Sequence, residues 1–130
     1  MDIAIDFDGT LARDRWPEIG ELRPGAKKVI NWLKKRGHTL ILYTCREGVY
    51  LAKAHIFLEK HGIKFDYYNE NTEGRIWEYG GDCRKISADL YIDDKALFFP
   101  GWWIVPFVVL WMEWREKREQ AKRLRKKGNL

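Results

Sequence analysis

Short apolar runs near residues 2–6, 39–43, 64–67, 88–92 and 102–105, set apart by stretches of helical spacing, restrict what this chain can fold into more than any other feature. Ile3, Ala4 and Ile5 form a continuous apolar run, the mark of a strand buried on both faces. Thr39–Tyr43 repeats the pattern, and so does Ala88–Ile92, with Asp89 as its one polar interruption. Pro24 and Gly25 open a segment in which Val29, Ile30 and Leu33 recur at helical spacing as far as Gly37. A second helix is expected from Gly48 or Val49 to His61, with Leu51, Ala54, Ile56, Phe57 and Leu58 on its buried side. Strands alternating with helices predict an α/β fold, a three-layer Rossmann-like parallel sheet with helices on both faces.

The residues at the carboxyl ends of these strands carry the chemistry. Asp6 and Asp8 stand at the carboxyl end of the first strand, the edge of an open parallel sheet where ligands bind. Gly9 lets the backbone turn sharply or approach a ligand closely. Two carboxylates this close repel unless a cation shares them, and oxygen-only ligands select a hard ion such as magnesium. The plainer alternative is that they cap a strand-to-helix turn. A second acidic strand end, Asp93-Asp94, favours one shared site. The middle strand ends instead in Thr44, Cys45 and Arg46, where a hydroxyl and a planar set of donors suit phosphate oxygens. Arg84 and Lys85 lie just upstream of the second acidic strand. Carboxylates, a metal, a hydroxyl and a lysine at one sheet edge describe phosphoryl chemistry.

The heptad Ile5-Asp6-Phe7-Asp8-Gly9-Thr10-Leu11 resembles the first motif of the haloacid dehalogenase superfamily. Thr44 resembles the second motif, Lys85 the third and Asp93-Asp94 the fourth, in the right order. Arg84–Asp94 also looks like the signature of small, capless bacterial and phage members. The resemblance implies a magnesium-dependent phosphatase with Asp6 as the nucleophile that forms an aspartyl-phosphate, and Asp8 as general acid and then base. It implies Mg2+ held by Asp6, the Asp8 carbonyl and Asp93, with Asp94 nearby. Thr44 and Lys85 would bind the phosphoryl oxygens, with Arg84 or Lys95 as substitutes for Lys85. Phe7, Gly9, Thr10, Cys45 and Arg46 are the flanking candidates for substrate or phosphate contact. The other reading of Arg46 is a solvated residue opening a helix.

Two stretches, Ala12–Arg23 and Asp66–Cys83, lack a clear period. In the resembled family cap domains are inserted there; both stretches are too short for one, so no sizeable cap is expected. Arg13, Arg15, Trp16, Arg75 and Trp77 in them are candidate substrate contacts, against a reading as ordinary surface and packing residues. Cys45 and Cys83 lack metal-ligand spacing, which fits a reducing compartment, and Cys45 reads as a small buried residue. The first strand begins at once, leaving no room for a signal peptide, so a cytoplasmic location is expected.

The organisation expected is a catalytic core over residues 1–112 and a C-terminal helix over 106–130. Ala96–Met112 is almost wholly apolar, but Pro100 and Pro106 interrupt it and it falls short of the ~20 residues of a helical membrane span. It parses as a final strand, Trp102–Val105, and a helix opening at Pro106. The all-round apolar start of that helix fits docking on the sheet and a homo-oligomer contact. From Glu113 to Leu130 eight Lys or Arg face three Glu, so this tail carries the whole formal charge of +5. It reads either as a solvated helix end or as a contact for nucleic acid or an acidic membrane surface. The expected substrate is a phosphorylated small molecule or a nucleic-acid end. The competing class is a catalytically inactive binding protein on the same fold. A receiver-type signalling module also combines acids, Thr and Lys, but its acidic pair comes early, whereas Asp93-Asp94 comes last here. A sugar-nucleotide transferase would need a nucleotide-binding half before Asp6.

Overall fold

The computed structural model describes residues 1–129 and divides the chain into two units, Met1–Pro100 and a second that begins at Gly101. In the first, β1 (Asp2–Ile5), β4 (Thr39–Leu42), β5 (Tyr67–Tyr68) and β6 (Leu90–Ile92) build one parallel sheet in the order β5-β4-β1-β6. Strand β1 is paired on both sides, Ile3 with Leu40 and Leu90, Ile5 with Leu42 and Ile92. Ile3, Ile5, Leu40, Ile41 and Leu42 are fully shielded from solvent, as unbroken apolar strands require. Helices α1 (Ala26–Lys35), α2 (Gly48–Lys60) and α3 (Glu73–Tyr79) flank the sheet. Connections from β1 run one way across the sheet, to β4 and then β5, and the chain returns past β1 to β6. The direction therefore reverses between β1 and β6, and such a switch point opens a crevice at the carboxyl ends of the strands.

Helix α1 buries Ala26, Val29, Ile30 and Leu33 on one stripe, as their spacing predicts. Helix α2 buries Ala54 and Leu58, but Ile56 is exposed, contrary to the expectation from sequence. Its position two residues from each of them puts it on the opposite side of a 3.6-residue helix. The stretch expected to be irregular after the first motif is a hairpin, β2 (Ala12–Arg15) with β3 (Glu18–Leu22). Its strands are too short and too polar for the alternation rule to find them. Gly20 permits their crossing, since a Cβ there would stand 2.3 Å from the Arg13 carbonyl oxygen. The second irregular stretch holds α3, capped by Thr72, whose hydroxyl accepts the Arg75 N–H. The strand expected at 64–67 forms at 67–68, although Asp66 already exchanges bonds with Leu40: its N–H donates to the Leu40 carbonyl and its carboxylate accepts the Leu40 N–H.

The second unit corrects the expected final strand. Trp102–Ile104 makes one 3₁₀ turn that runs directly into α4 (Val105–Gly128), with Pro106 in its first turn. A short apolar run does not by itself distinguish strand from buried helix, and here Pro106 pre-sets helical φ immediately after it. Along α4, Arg115 lies 4.8 Å over the Trp111 ring and Arg118 5.0 Å over Trp114. Among the described residues, no helix is long and apolar enough to cross a membrane.

Candidate active site

The chain leaves β1 still paired, the Asp6 N–H donating to the Ile92 carbonyl, and then winds into a tight turn. The N–H groups of Thr10, Leu11 and Ala12 all converge on the Phe7 carbonyl, at 3.3, 3.0 and 3.2 Å. This turn drops Thr10 into the interior. Its hydroxyl lies 2.8 Å from Asp6 Oδ2 and 3.2 Å from Asp94 Oδ1, and accepts the Asp94 N–H at 2.8 Å. Thr10 thus couples the two acidic strand ends that the sequence places far apart.

Asp6, Asp93 and Asp94 bring one carboxylate oxygen each within 4.8 Å of one another, an oxygen-only set that fits a hard divalent cation. Burial pushes the Asp6 carboxyl up to about 7, with the negative Asp93 adding to the rise and the Thr10 hydroxyl opposing it. A carboxylate kept this uncomfortable is one that a cation would relieve. Gly9 closes the cluster from below: its φ is +88° and a Cβ would stand 2.4 Å from Asp94 Oδ2. Gly9→Ala is therefore expected to cost about 2–3 kcal/mol in chemical denaturation, from the strained backbone and the displaced Asp94 together. An unchanged unfolding midpoint would show that the turn can relax.

Asp8 is held by Arg46, which is 1% exposed. Arg46 Nε donates to Asp8 Oδ2 and Nη2 to Asp8 Oδ1, both at 2.7 Å, while Nη1 and Nη2 also reach the carbonyls of Pro17 and Glu18 at the hairpin tip. The guanidinium lies 5.3 Å from the centroid of the Phe7 ring and 4.9 Å from that of Trp16. Arg46 is therefore neither solvated nor turned toward a phosphate; protein acceptors take its donors. Each Asp8 oxygen keeps a second lone pair, so the carboxylate can still accept a proton from a group in the cavity.

Around these acids lies an open cavity of about 250 Å³ lined by Asp6, Asp8, Asp14, Trp16, Thr44, Cys45, Asp93 and Lys95. Thr44 is fixed from behind: Asn69 Oδ1 accepts its N–H at 2.8 Å and Asn69 Nδ2 donates to the Arg46 carbonyl at 3.0 Å. Asn69 stands at φ +52°, a conformation Asn tolerates better than most residues. Its sequence signal was an Asn directly after a strand, too common to single out. Arg23, also missed, donates to the Gly9 carbonyl at 2.9 Å.

The remaining candidates scatter. Lys95 lines the cavity, whereas Lys85 is exposed with its ammonium 5.7 Å over the Tyr91 ring. Arg84 is exposed. Phe7 presents its ring to the core, edge-on to Phe57 at 5.9 Å. Cys45 is exposed at the cavity wall, not buried, because the chain has already left β4 there. Arg75 does not reach the site: it pairs with Asp2 and Asp89, at the amino ends of β1 and β6. Trp77 is 89% exposed on α3, and Arg13 and Arg15 are exposed on β2.

A conserved protein from Bacteroides thetaiotaomicron has a solved structure that superposes with a TM-score of 0.73 at 39% identity, over 81% of this chain and 85% of that one. This chain belongs to the family of that protein. A chain of the Pnkp1/Rnl/Hen1 RNA repair complex aligns with a TM-score of 0.52 and 21% identity, over 73% of this chain and 36% of its own length. That second likeness is one of fold alone, and the present chain spans about a third of the chain it matches. No family model and no curated protein matches the sequence.

Proposed function

We propose that this chain is a magnesium-dependent phosphomonoester hydrolase of the haloacid dehalogenase type, working through an aspartyl-phosphate on Asp6. The observation that carries the reading is the gathering of the Asp6, Asp93 and Asp94 carboxylates beside an open cavity that Asp6 and Asp93 line together with Asp8, Thr44 and Lys95. Asp6, Asp93 and Asp94 would hold the cation. When bound, Mg2+ would neutralise the acids and draw electron density from the phosphoryl group.

In this reading an Asp6 oxygen attacks phosphorus, the bond to the leaving oxygen breaks, and Asp8 delivers a proton to that oxygen. Asp8 then takes a proton from water, whose oxygen attacks the acyl phosphate and regenerates the Asp6 carboxylate. Arg46 orients Asp8 for both steps. Thr44 and a lysine bind the phosphoryl oxygens; the motif assigns Lys85 and the cavity wall supplies Lys95. Substituting each by Ala separates them: the lysine on the phosphate raises KM about tenfold, as loss of a charge-assisted hydrogen bond does, and the other leaves it unchanged.

The test is phosphate release from a panel of p-nitrophenyl phosphate, sugar phosphates, nucleotides and phosphorylated oligonucleotides, with and without Mg2+ and with a chelator. Release that needs the metal supports the reading; a folded, Mg2+-binding protein that releases nothing from any member contradicts it. A proton and the cation compete for Asp6, so Mg2+ affinity should rise about tenfold per pH unit and level off near the Asp6 value of about 7. Calorimetric titration across that range checks it, and a flat profile would remove Asp6 from the ligand set.

The exposed basic end of α4 supports a second activity, contact with nucleic acid. Arg115 and Arg118 stacked on Trp111 and Trp114 present the aromatic and cationic surfaces that single strands use. Oligonucleotide affinity that falls steeply with salt, and is lost when Lys122, Arg123, Arg125, Lys126 and Lys127 become Gln, is the expected result.

A further inference from the structure

We infer that the leaving group of the phosphomonoester is a ribonucleoside, with its base stacked on Trp16 and its sugar hydroxyls on Asp14. The inference rests on the hydrolase reading and deepens it. Trp16 stands at the hairpin tip, 55% exposed, and its ring forms part of the wall of the cavity that holds Asp6. It is braced rather than loose. The Arg46 guanidinium lies 4.9 Å from the ring centroid, the Tyr50 ring 4.8 Å away, and the Trp16 backbone N–H donates to Asp14 Oδ1 at 3.1 Å. A ring held by its neighbours, in a residue that is 55% exposed and lines the cavity, offers a platform for a stacked base.

Asp14 extends the argument from base to sugar. Asp14, in β2, and Trp16, in the turn that follows it, both line the cavity, whereas Arg13 and Arg15 do not. A carboxylate beside a phosphate site repels phosphate and gains nothing from it. It does have acceptor capacity for the hydroxyls of a sugar, since the Trp16 N–H uses one of about four lone pairs. Flat ring, hydroxyl acceptor and phosphate acids around one cavity supply a partner for each of base, ribose and phosphate.

The experiment uses the full chain carrying Asp6→Asn, which holds substrate without turnover, with Mg2+ present. Calorimetry compares adenosine 5′-monophosphate, its 2′,3′-dideoxy analogue, ribose 5-phosphate, a short RNA bearing a terminal phosphate, and a phosphotyrosine peptide. The nucleotide is expected to bind about tenfold tighter than ribose 5-phosphate, a margin that adding Trp16→Ala erases and Trp16→Phe largely keeps. Asp14→Ala is expected to erase the preference for the ribonucleotide over its dideoxy analogue. Tighter binding of the RNA than of the mononucleotide would place the base at a strand end, and the reverse would make it a free nucleotide. Equal binding of nucleotide and ribose 5-phosphate, a margin that Trp16→Ala leaves intact, or preference for the peptide would overturn the inference. Turnover by the wild type of sugar phosphates as readily as nucleotides would do the same while leaving the hydrolase standing. No turnover of any substrate would end the hydrolase reading, with the binding ratios still deciding the platform.

Discussion

Replacing Arg46 by Met is expected to lower folding stability by about 3–5 kcal/mol, the cost of stranding one partner of a buried ion pair. Arg46 is the largest of the fully buried side chains, and it ties three segments together: the β1 turn through Asp8, the hairpin tip through the Pro17 and Glu18 carbonyls, and the loop after β4. Arg46→Lys should rescue little, because a single ammonium cannot serve both Asp8 oxygens and two carbonyls in a planar fork. The discriminating measurement is a double-mutant cycle with Asp8→Asn in denaturant. The pair should show a coupling of about 1–3 kcal/mol, since the double variant no longer leaves a bare carboxylate behind. A single-variant effect within about 0.5 kcal/mol would mean that the fork is an incidental surface contact.

Asp6→Asn should abolish turnover, by about four to six orders of magnitude in kcat as for the loss of other enzymic nucleophiles, and should at the same time stabilise the metal-free protein above neutral pH. The sign follows from the direction of the Asp6 shift. Burial raises its carboxyl from 3.8 to about 7, so the folded chain binds more protons than the unfolded chain between those values. Its contribution is fully present below pH 3.8 and is lost as pH rises through about 7. Asn does not titrate and escapes the loss. Because Asp6 is only partly buried, the gain is on the order of 1 kcal/mol once solvent screening is allowed for. Saturating Mg2+ should stabilise the wild type more than the variant, which keeps Asp93 and Asp94 but offers the cation an amide oxygen in place of the Asp6 carboxylate. Unfolding midpoints at several pH values, with and without Mg2+, check this, and a variant less stable than wild type at high pH would contradict it.

Fold and site were legible in the sequence to different degrees. The parallel sheet was readable because Ile3–Ile5 and Leu40–Leu42 are apolar on both faces, and only a doubly covered strand needs that. Asp6, Asp8, Asp93 and Asp94 were readable because acids directly after such strands must emerge at one sheet edge. The hairpin was not readable, since Arg13, Asp14, Arg15 and Glu18 give no period-two apolar signal and its stability comes from a distant arginine. For the same reason Arg46 was misplaced. Its partners lie 38 positions away at Asp8 and 28 at Glu18, and local sequence carries no trace of either. The apolar run Trp102–Val105 looked like a strand because hydrophobicity alone does not set period; it became the 3₁₀ turn leading into α4. Thr10 lay in plain view inside the motif, but its bonds to Asp94 appear only once β1 and β6 are neighbours.

Acid-quenched mass spectrometry of the protein during turnover tests the central claim most directly. Wild type mixed with Mg2+ and its preferred phosphomonoester should carry one phosphoryl group on the peptide containing Asp6, labile to hydroxylamine as an acyl phosphate is. Asp8→Asn, deprived of the base that activates water, should accumulate more of it than wild type. Phosphate released with no phosphoryl group on that peptide in either protein, or the group found on another residue, would contradict the account.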